Sequence, residues 1–244
     1  MTDLLFTQHF LCCILLKRCK ITYEPFLYNF LTFMPISARE SLNKLNKDIS
    51  NCRKCIDPVK TQKQSSPGSG APKAKIMVVA YYPESPDTAK KSSTISDGDR
   101  DKFIKKLFNE AGLSFTRDIY VTYLIKCPSG KPTKEKGGPG AGTVKSLKKN
   151  IDNCISFLSK EISIITPHII ISLGLDVSNV ILQKFFSVSK KYRNMEKIHM
   201  RIFENPSFKL VPFSDPMDIS KNGAISEEKF RKDFQALSKL LKII

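Results

Sequence analysis

The chain has 244 residues, 41% hydrophobic and 26% charged, as expected for a globular protein with one sizeable α/β domain or two small ones. Lysine and arginine outnumber aspartate and glutamate by 40 to 23, which gives a net charge of +17. So large a basic excess favours a polyanionic partner, and nucleic acid is the first candidate. The alternative is a protein that uses its lysines only to solvate its surface.

The first 33 residues differ from the rest of the chain. Their longest apolar run, residues 11–16, is far shorter than the roughly 20 residues of a membrane span. They also lack the basic region and the cleavage site of a signal peptide. We therefore expect residues 1–33 to be an over-long gene start or a loosely ordered extension before Met34. Residues 34–244 are then expected to form a single domain. We expect the protein to lie in the reducing cytoplasm, associated with the nucleoid if the source is a prokaryote, and to have no membrane partner.

Short apolar runs and apolar residues at helical spacing alternate along the rest of the chain. The runs predict strands over residues 75–83, 118–127, 168–174 and 208–213. The helical spacing predicts helices over residues 41–49, 101–113, 144–165, 177–186 and 226–241. This alternation predicts a three-layer α/β/α fold around a mostly parallel, four-stranded sheet.

Four of the seven cysteines are candidate metal ligands. Cys52 and Cys55 form a C-x-x-C pair on a turn, a spacing that lets two thiolates face one metal. Cys127 ends the second predicted strand and Cys154 lies in the helix that follows. Four thiolates are enough for a structural zinc ion or a cubane iron–sulfur cluster, and their spacing does not choose between the two. The alternative is four unrelated thiols. An odd number of widely spaced cysteines argues against a disulfide framework.

In order and spacing these motifs resemble the iron–sulfur uracil-DNA glycosylases, the thermophile-type (family 4-like) branch of the uracil-DNA glycosylase superfamily. The likeness runs from about Ser41 to the C-terminus and includes the segments FIKKLFNEAGL, DIYVTYLIKCPSGKPT, TPHIIISLG and VPFSDP. The resemblance implies that Cys52, Cys55, Cys127 and Cys154 hold a [4Fe–4S] cluster. It also implies a monomer that acts on single- or double-stranded DNA in base-excision repair.

The chain departs from the family's catalytic pattern at four positions. Tyr81 stands where the family has a carboxylate that helps to position the attacking water, and Ser96 where a phenylalanine stacks on the base. Tyr123 replaces an asparagine that reads the base edge, and Asp215 replaces the histidine of a His-Pro pair. Ordinary uracil excision is therefore not expected. An ionised aspartate would repel the leaving uracil anion, and a tyrosine lacks the paired donor and acceptor of an amide.

Two hypotheses remain. In the first, Asp215 activates water or stabilises a cationic sugar, with Tyr81 as a second catalytic residue, while another deaminated base is excised. The pocket for that base is then lined by Tyr82, Pro83, Ser96, Tyr123 and Ser214. In the second, the tyrosines close the pocket and the protein only binds DNA. A more distant option is a structural protein that keeps the cluster only to stabilise its fold. For each tyrosine the alternative is a core aromatic, and for Asp215 a turn residue.

Seven basic residues are candidate phosphate contacts, because they surround the expected cluster or lie where the family approaches DNA. They are Lys126, Lys131, Lys134, Lys136, Lys190, Lys191 and Arg193. Contacts of this kind predict that DNA affinity falls steeply with salt. The alternative is a solvated, lysine-rich surface.

Overall fold

Six strands form one sheet in the computed structural model, which describes residues 37–55, 65–83, 99–127, 144–216 and 226–243. The strands are β1 (Ser69–Gly70), β2 (Ile76–Ala80), β3 (Ile119–Tyr123), β4 (Ile169–Leu173), β5 (Phe203–Glu204) and β6 (Lys209–Phe213). Their order is β1-β3-β2-β4-β6-β5, and β2, β3, β4 and β6 are parallel. The predicted sheet is confirmed as these four strands. The two edge strands are antiparallel additions of two residues each, too short to show an apolar period.

The four parallel strands start in step. Ile76 of β2 pairs with Ile119 of β3 on one side and with Ile169 of β4 on the other, and Ile169 pairs with Lys209 of β6. Because each of these strands has five residues, they also end in step. The residues that follow them therefore lie along a single edge of the sheet.

Within these described residues, five helices cover the sheet, together with a short 3-10 turn over Met195–Lys197. The helices are α1 (Ala38–Ser50), α2 (Asp99–Glu110), α3 (Val144–Ile165), α4 (Leu175–Phe185) and α5 (Glu227–Ile243). All five predicted helices are present, with ends that differ by at most a few residues. Helix α1 starts before the predicted Ser41 because Ser37 and Glu40 form a capping box, in which each side chain accepts the other's backbone N–H.

The helices lie in two layers, one on each face of the sheet. Ile76, Val78 and Ala80 of β2 point into a cluster with α2 and α5, which supply Phe108 and Leu237 among others. The alternate residues, such as Met77, point into a second cluster with α3 and α4. Every residue of β2, β3 and β4 is buried, as expected for parallel strands covered on both faces. The three-layer α/β/α prediction is confirmed.

Residues 1–33, predicted to be an extension, lie outside the described residues. Within the described ranges, no helix combines the length and the apolar character that crossing a membrane requires.

We expect Gly70→Ala to lower the free energy of unfolding by about 3 kcal/mol, because it combines backbone strain with a clash. Gly70 has a φ of +132°, and an added Cβ would collide with the Ile119 carbonyl oxygen and lie 2.8 Å from the Tyr120 Cα. Gly112→Ala is the matched control: its φ is +76°, but its Cβ would meet nothing within 4 Å, so only about 1–2 kcal/mol of strain is expected. Urea denaturation measures both, and equal losses would contradict the close approach of β1 to β3.

Candidate functional site

The candidate site lies along the edge where the parallel strands end. Tyr81 follows β2, Leu124 follows β3, Gly174 follows β4 and Ser214 follows β6. Backbone hydrogen bonds continue past the strands, from Leu124 N to Ala80 O (2.8 Å) and from Gly174 N to Phe213 O (2.8 Å). Ligands of open, parallel α/β sheets bind outside this carboxyl edge. Two predicted catalytic residues, Tyr81 and Asp215, are therefore brought to the edge where ligands bind.

Two half-buried tyrosines follow β2. The rings of Tyr81 and Tyr82 meet edge to face with their centroids 5.5 Å apart, and both contact an apolar cluster of Ile125, Cys127 and Cys154. Burial raises the pKa of Tyr81, and the negative charge of Asp176 in the first turn of α4 adds to the effect. The Tyr81 phenol therefore stays protonated at neutral pH, so that it can donate a hydrogen bond.

Three of the predicted base-pocket residues are buried. Tyr123 is 2% exposed and packs in the core cluster between the sheet, α2 and α5, as the core-aromatic alternative describes. Ser214 is 1% exposed, and Pro83 is also buried. In this conformation none of the three is open to a flipped base. Ser96 lies outside the described residues.

Asp215 is half-buried and lies against the start of α4. A Cβ added to Gly174, the residue that precedes α4, would be 3.6 Å from the Asp215 Cβ. Gly174 has a φ of +87°, a conformation that side chains rarely adopt, so the backbone conformation favours glycine at this position. Asp215 therefore lies next to Gly174, where β4 and β6 end.

Next to Asp215, three polar side chains form a hydrogen-bonded array, and of these only Ser214 is among the predicted site residues. His199 Nε2 is 3.1 Å from Asp233 Oδ2, and His199 Nδ1 is 3.3 Å from both the backbone N and the Oγ of Ser214. The Ser214 N–H can only donate, so Nδ1 is the acceptor and Nε2 carries the proton that Asp233 accepts. Met200 N donates to Pro212 O (2.8 Å), which holds this segment against β6.

His199 is neutral in this arrangement. Burial lowers its pKa, although the hydrogen bond and negative charge of Asp233 oppose the effect; Lys229 lowers it further. The ring also packs on Phe213, with centroids 4.7 Å apart. A neutral imidazole is therefore fixed at the end of β6, next to the position where the family resemblance places a histidine and this chain has Asp215. The role of His199 becomes visible only through contacts between distant segments, since nothing in the local sequence around His199 indicates a site.

The four predicted metal ligands are free thiols. Cys55, Cys127 and Cys154 are buried and Cys52 is half-buried. Asn153 Nδ2 is 3.5 Å from the Cys55 sulfur and 3.3 Å from the Lys54 carbonyl, so α3 holds the C-x-x-C turn next to Cys154. The Ser65 hydroxyl is 3.4 Å from the Cys127 sulfur. Three separate segments thus contribute the thiols.

Electrostatic interactions join these thiols. Burial raises the pKa of Cys127, and the sulfurs of Cys55 and Cys52 contribute to the shift. Burial likewise raises the pKa of Cys154 to about 11, with contributions from Cys127 and Cys55. A bound cation would reverse this preference for the protonated form, because it stabilises thiolates. Among the described residues, no group of three or more His, Cys, Asp and Glu side chains is arranged to hold a metal ion.

Lys126 does not lie on the surface. It is 1% exposed, and its Nζ is 2.6 Å from Oε2 of Glu161, which is fully buried in α3. The prediction that Lys126 contacts DNA is therefore wrong. The side chain points to the same face of the sheet as Tyr120 and Thr122, where α3 covers it and Glu161 balances its charge. Glu161 on the buried face of α3 is the sequence signal that could have identified this pair.

Three other predicted phosphate contacts are exposed in the segment after α4, namely Lys190, Lys191 and Arg193. The backbone of Tyr192 between them is fixed by Asn179, which accepts from Tyr192 N (2.8 Å) and donates to Tyr192 O (3.0 Å). The three cations are thus presented outward from an anchored segment. Lys131, Lys134 and Lys136 lie outside the described residues.

Comparison with known proteins identifies the family. The family model of the Uracil DNA glycosylase superfamily matches residues 67–238, more than half of the chain. This chain belongs to the uracil DNA glycosylase superfamily. It is 24% identical to the type-4 uracil-DNA glycosylase of Archaeoglobus fulgidus over 208 residues, which cover 82% of this chain and 94% of that protein. It is 29% identical to the type-4 uracil-DNA glycosylase of Saccharolobus solfataricus over 210 residues, 82% of this chain and 88% of that protein.

A further relative has a different name. The DNA polymerase of Bacillus phage SP01 is 28% identical over 174 residues, which cover 71% of this chain but only 16% of the polymerase. The resemblance to the type-4 branch of the superfamily is confirmed, at modest identity over most of the chain. The superfamily match includes the sheet edge, Cys127 and Cys154, and it begins after Cys52 and Cys55.

We expect the stability of this superfamily member to fall in mild acid through His199. Because folding lowers the His199 pKa, the unfolded chain binds more protons once the pH drops below about 6.5, the ordinary histidine value. The contribution to stability is complete above that pH and is lost as the pH falls toward the lowered pKa. Urea denaturation between about pH 5 and pH 8 measures it.

His199→Gln is expected to flatten this part of the profile. His168→Gln is the control, because the His168 side chain is exposed, and it should leave the profile unchanged. A wild-type profile that matches that of His199→Gln would contradict the neutral, hydrogen-bonded state assigned to His199.

Proposed function

We propose that this protein is a uracil-DNA glycosylase-like DNA repair protein that hydrolyses the N-glycosidic bond of a deaminated base in a rebuilt pocket. The observation that carries the proposal is the position of Asp215, half-buried next to Gly174 at the edge where parallel α/β sheets bind ligands. Support comes also from the superfamily match and from the type-4 relatives, whose names describe uracil-DNA glycosylases.

Asp215 and Tyr81 suit the two charges that develop when the N-glycosidic bond breaks. The bond from C1′ to the base nitrogen breaks, so positive charge develops on the sugar and negative charge on the leaving base. Asp215 can stabilise the sugar or accept a proton from the water that supplies its hydroxyl to C1′. Tyr81 stays protonated and can donate a hydrogen bond to the base, because burial and Asp176 raise its pKa.

This arrangement exchanges two roles relative to the family pattern. There, a carboxylate follows the first core strand and a histidine donor follows the last. Here the donor, Tyr81, follows β2, whereas the carboxylate, Asp215, follows β6. We therefore propose that the base is held toward β2, with Tyr81 and Tyr82 as its aromatic contacts, and the sugar toward β6. Flipping the base into this position costs a few kcal/mol, least for a mismatched base or a single strand.

We further propose that Cys52, Cys55, Cys127 and Cys154 hold a [4Fe–4S] cluster. The donor set fits: four free sulfurs from three segments interact electrostatically, and three of them are buried. When bound, the cluster supplies a rigid cross-link between these segments. Free thiols and such a cluster fit a reducing, intracellular setting.

The exposed cations of the segment after α4, Lys190, Lys191 and Arg193, are proposed to contact phosphates. Lys131, Lys134 and Lys136 are proposed to extend this basic surface, whereas Lys126 has no part in it. These contacts position the DNA without reading its sequence.

A second candidate function is DNA binding without catalysis. The burial of Tyr123, Ser214 and Pro83 favours it, because three predicted pocket residues present no surface to a base. The part of the phage DNA polymerase that matches this chain also belongs to a protein that is not named as a glycosylase.

Asp215→Asn is expected to slow base release about 100-fold or more, because it keeps the shape of the side chain but removes its charge and basicity. The measurement is single-turnover excision by cluster-loaded protein from single- and double-stranded DNA carrying uracil, hypoxanthine or another deaminated base. Asp152→Asn is the control, an exposed carboxylate of α3 whose loss should leave the rate unchanged. Tight DNA binding without release from any substrate would contradict the glycosylase and favour the second candidate.

Replacing Lys190, Lys191 and Arg193 together by alanine is expected to weaken DNA binding by a similar factor for every sequence. It should also reduce the slope of log K against log salt by about 3, roughly 1 for each phosphate contact. Fluorescence anisotropy between low and moderate salt measures the slope. Lys209→Ala is the control, since Lys209 begins β6 and so lies at the end of the strands opposite the candidate site. A slope that does not change in the triple variant would place the DNA elsewhere.

A further inference from the structure

Four polar side chains form a closed network between the sheet and α3. Glu161 accepts hydrogen bonds from Lys126 Nζ (2.6 Å), Thr122 Oγ1 (2.9 Å) and Tyr120 OH (3.2 Å), and Lys126 also contacts Thr122. Each of the four is at most 1% exposed. The network therefore cannot contact DNA or substrate directly, and its function must be exerted through its neighbours.

The neighbours are two of the proposed cluster ligands. Cys127 directly follows Lys126 at the exit of β3, and Cys154 precedes Glu161 by seven residues, or about two turns of α3. The two thiols therefore lie on the same pair of elements that the network joins. The backbone of Lys126 also hydrogen-bonds the Cys154 sulfur. On its other side, the Lys126 carbonyl accepts from Ser66 N (2.7 Å), next to Ser65, whose hydroxyl reaches Cys127.

Stability alone does not explain a buried ion pair at this place. Removing two charges from water is costly, and well-packed apolar side chains of similar volume often stabilise a fold as much or more. A directional ion pair does, however, fix the position of one element relative to the other, because its hydrogen bonds form at a single register. Here that relation sets the exit of β3 against α3, and with it the separation of Cys127 and Cys154.

We propose that Lys126 and Glu161, with Thr122 and Tyr120, are positioning residues that fix Cys127 and Cys154 for the iron–sulfur cluster. The inference rests on the cluster assigned under the proposed function. In many metal sites, residues that do not touch the metal hydrogen-bond its ligands and orient them. The network would orient Cys127 and Cys154 in the same way. Loss of such groups commonly weakens metal binding 10–100-fold.

The test compares the wild-type chain with Lys126→Met/Glu161→Met, which replaces the pair by apolar side chains of similar length. Iron and inorganic sulfide per chain, and the rate at which a chelator bleaches the visible absorbance, report on the cluster. Thermal unfolding of the cluster-free proteins reports on the fold. We expect the double variant to melt close to the wild type but to release its iron about tenfold faster.

Two further variants complete the design. Lys184→Met breaks the exposed pair of Lys184 with Asp152 on α3 and should change neither measurement. Tyr120→Phe removes one hydroxyl donor to Glu161 and should release iron a few-fold faster without a change in melting. If the double variant does not fold, the rate of iron release from Tyr120→Phe tests the proposal instead.

The outcomes separate the inference from the proposed function. If the wild type holds iron and sulfide and the variants release them at the wild-type rate, the network only stabilises the fold and the inference is overturned. If the wild type holds zinc or no metal, the proposed cluster fails and the inference fails with it. Faster release with an intact fold supports both.

Discussion

The register of the four parallel strands is the constraint on which the rest of the structure depends. Ile76, Ile119 and Ile169 pair side by side, so the strands begin and end together. A slip of one residue would turn every apolar side chain of a strand toward the opposite layer, and it would displace the residue at the strand's end by the same step. The packing of both helical layers thus also fixes the positions of Tyr81, Gly174 and Asp215 along one edge.

Two polar pairs, one buried and one half-buried, flank this edge, one in each helical layer. Lys126 and Glu161 join β3 to α3, and His199 and Asp233 join the end of β6 to α5. Neither pair is required for apolar packing, and both include groups whose charge is costly to bury. Each pair nevertheless holds a segment that leaves the sheet, the first next to Cys127 and the second next to Asp215. Departures from apolar packing are expected where a site, rather than the core, requires a fixed geometry.

Periodicity was sufficient to predict the four parallel strands, the five helices and the three layers, because continuous burial and helical spacing are local properties of the sequence. The directions of individual side chains at the edge were not predictable in this way. Lys126 is predicted to contact phosphate because it lies beside the expected cluster, although Glu161 on the buried face of α3 compensates its charge. Tyr123 points into the core, and His199 reaches the edge from a distant segment. The position of His199 depends on a tertiary contact that no local pattern encodes, whereas the alternation along β3 places Tyr123 on the same face as Ile119 and Val121.

The proposed chemistry follows from the strand order between the two edge groups. Tyr81 and Asp215 follow β2 and β6, which are separated only by β4, so the two strand ends lie about 10 Å apart. Asp215 approaches Gly174, which follows the strand between them. A protonated phenol on one side and a carboxylate on the other match a base that gains negative charge and a sugar that gains positive charge. Under this proposal, the edge keeps a hydrogen-bond donor and an acceptor in exchanged positions, so that loss of the family's own residues need not abolish catalysis.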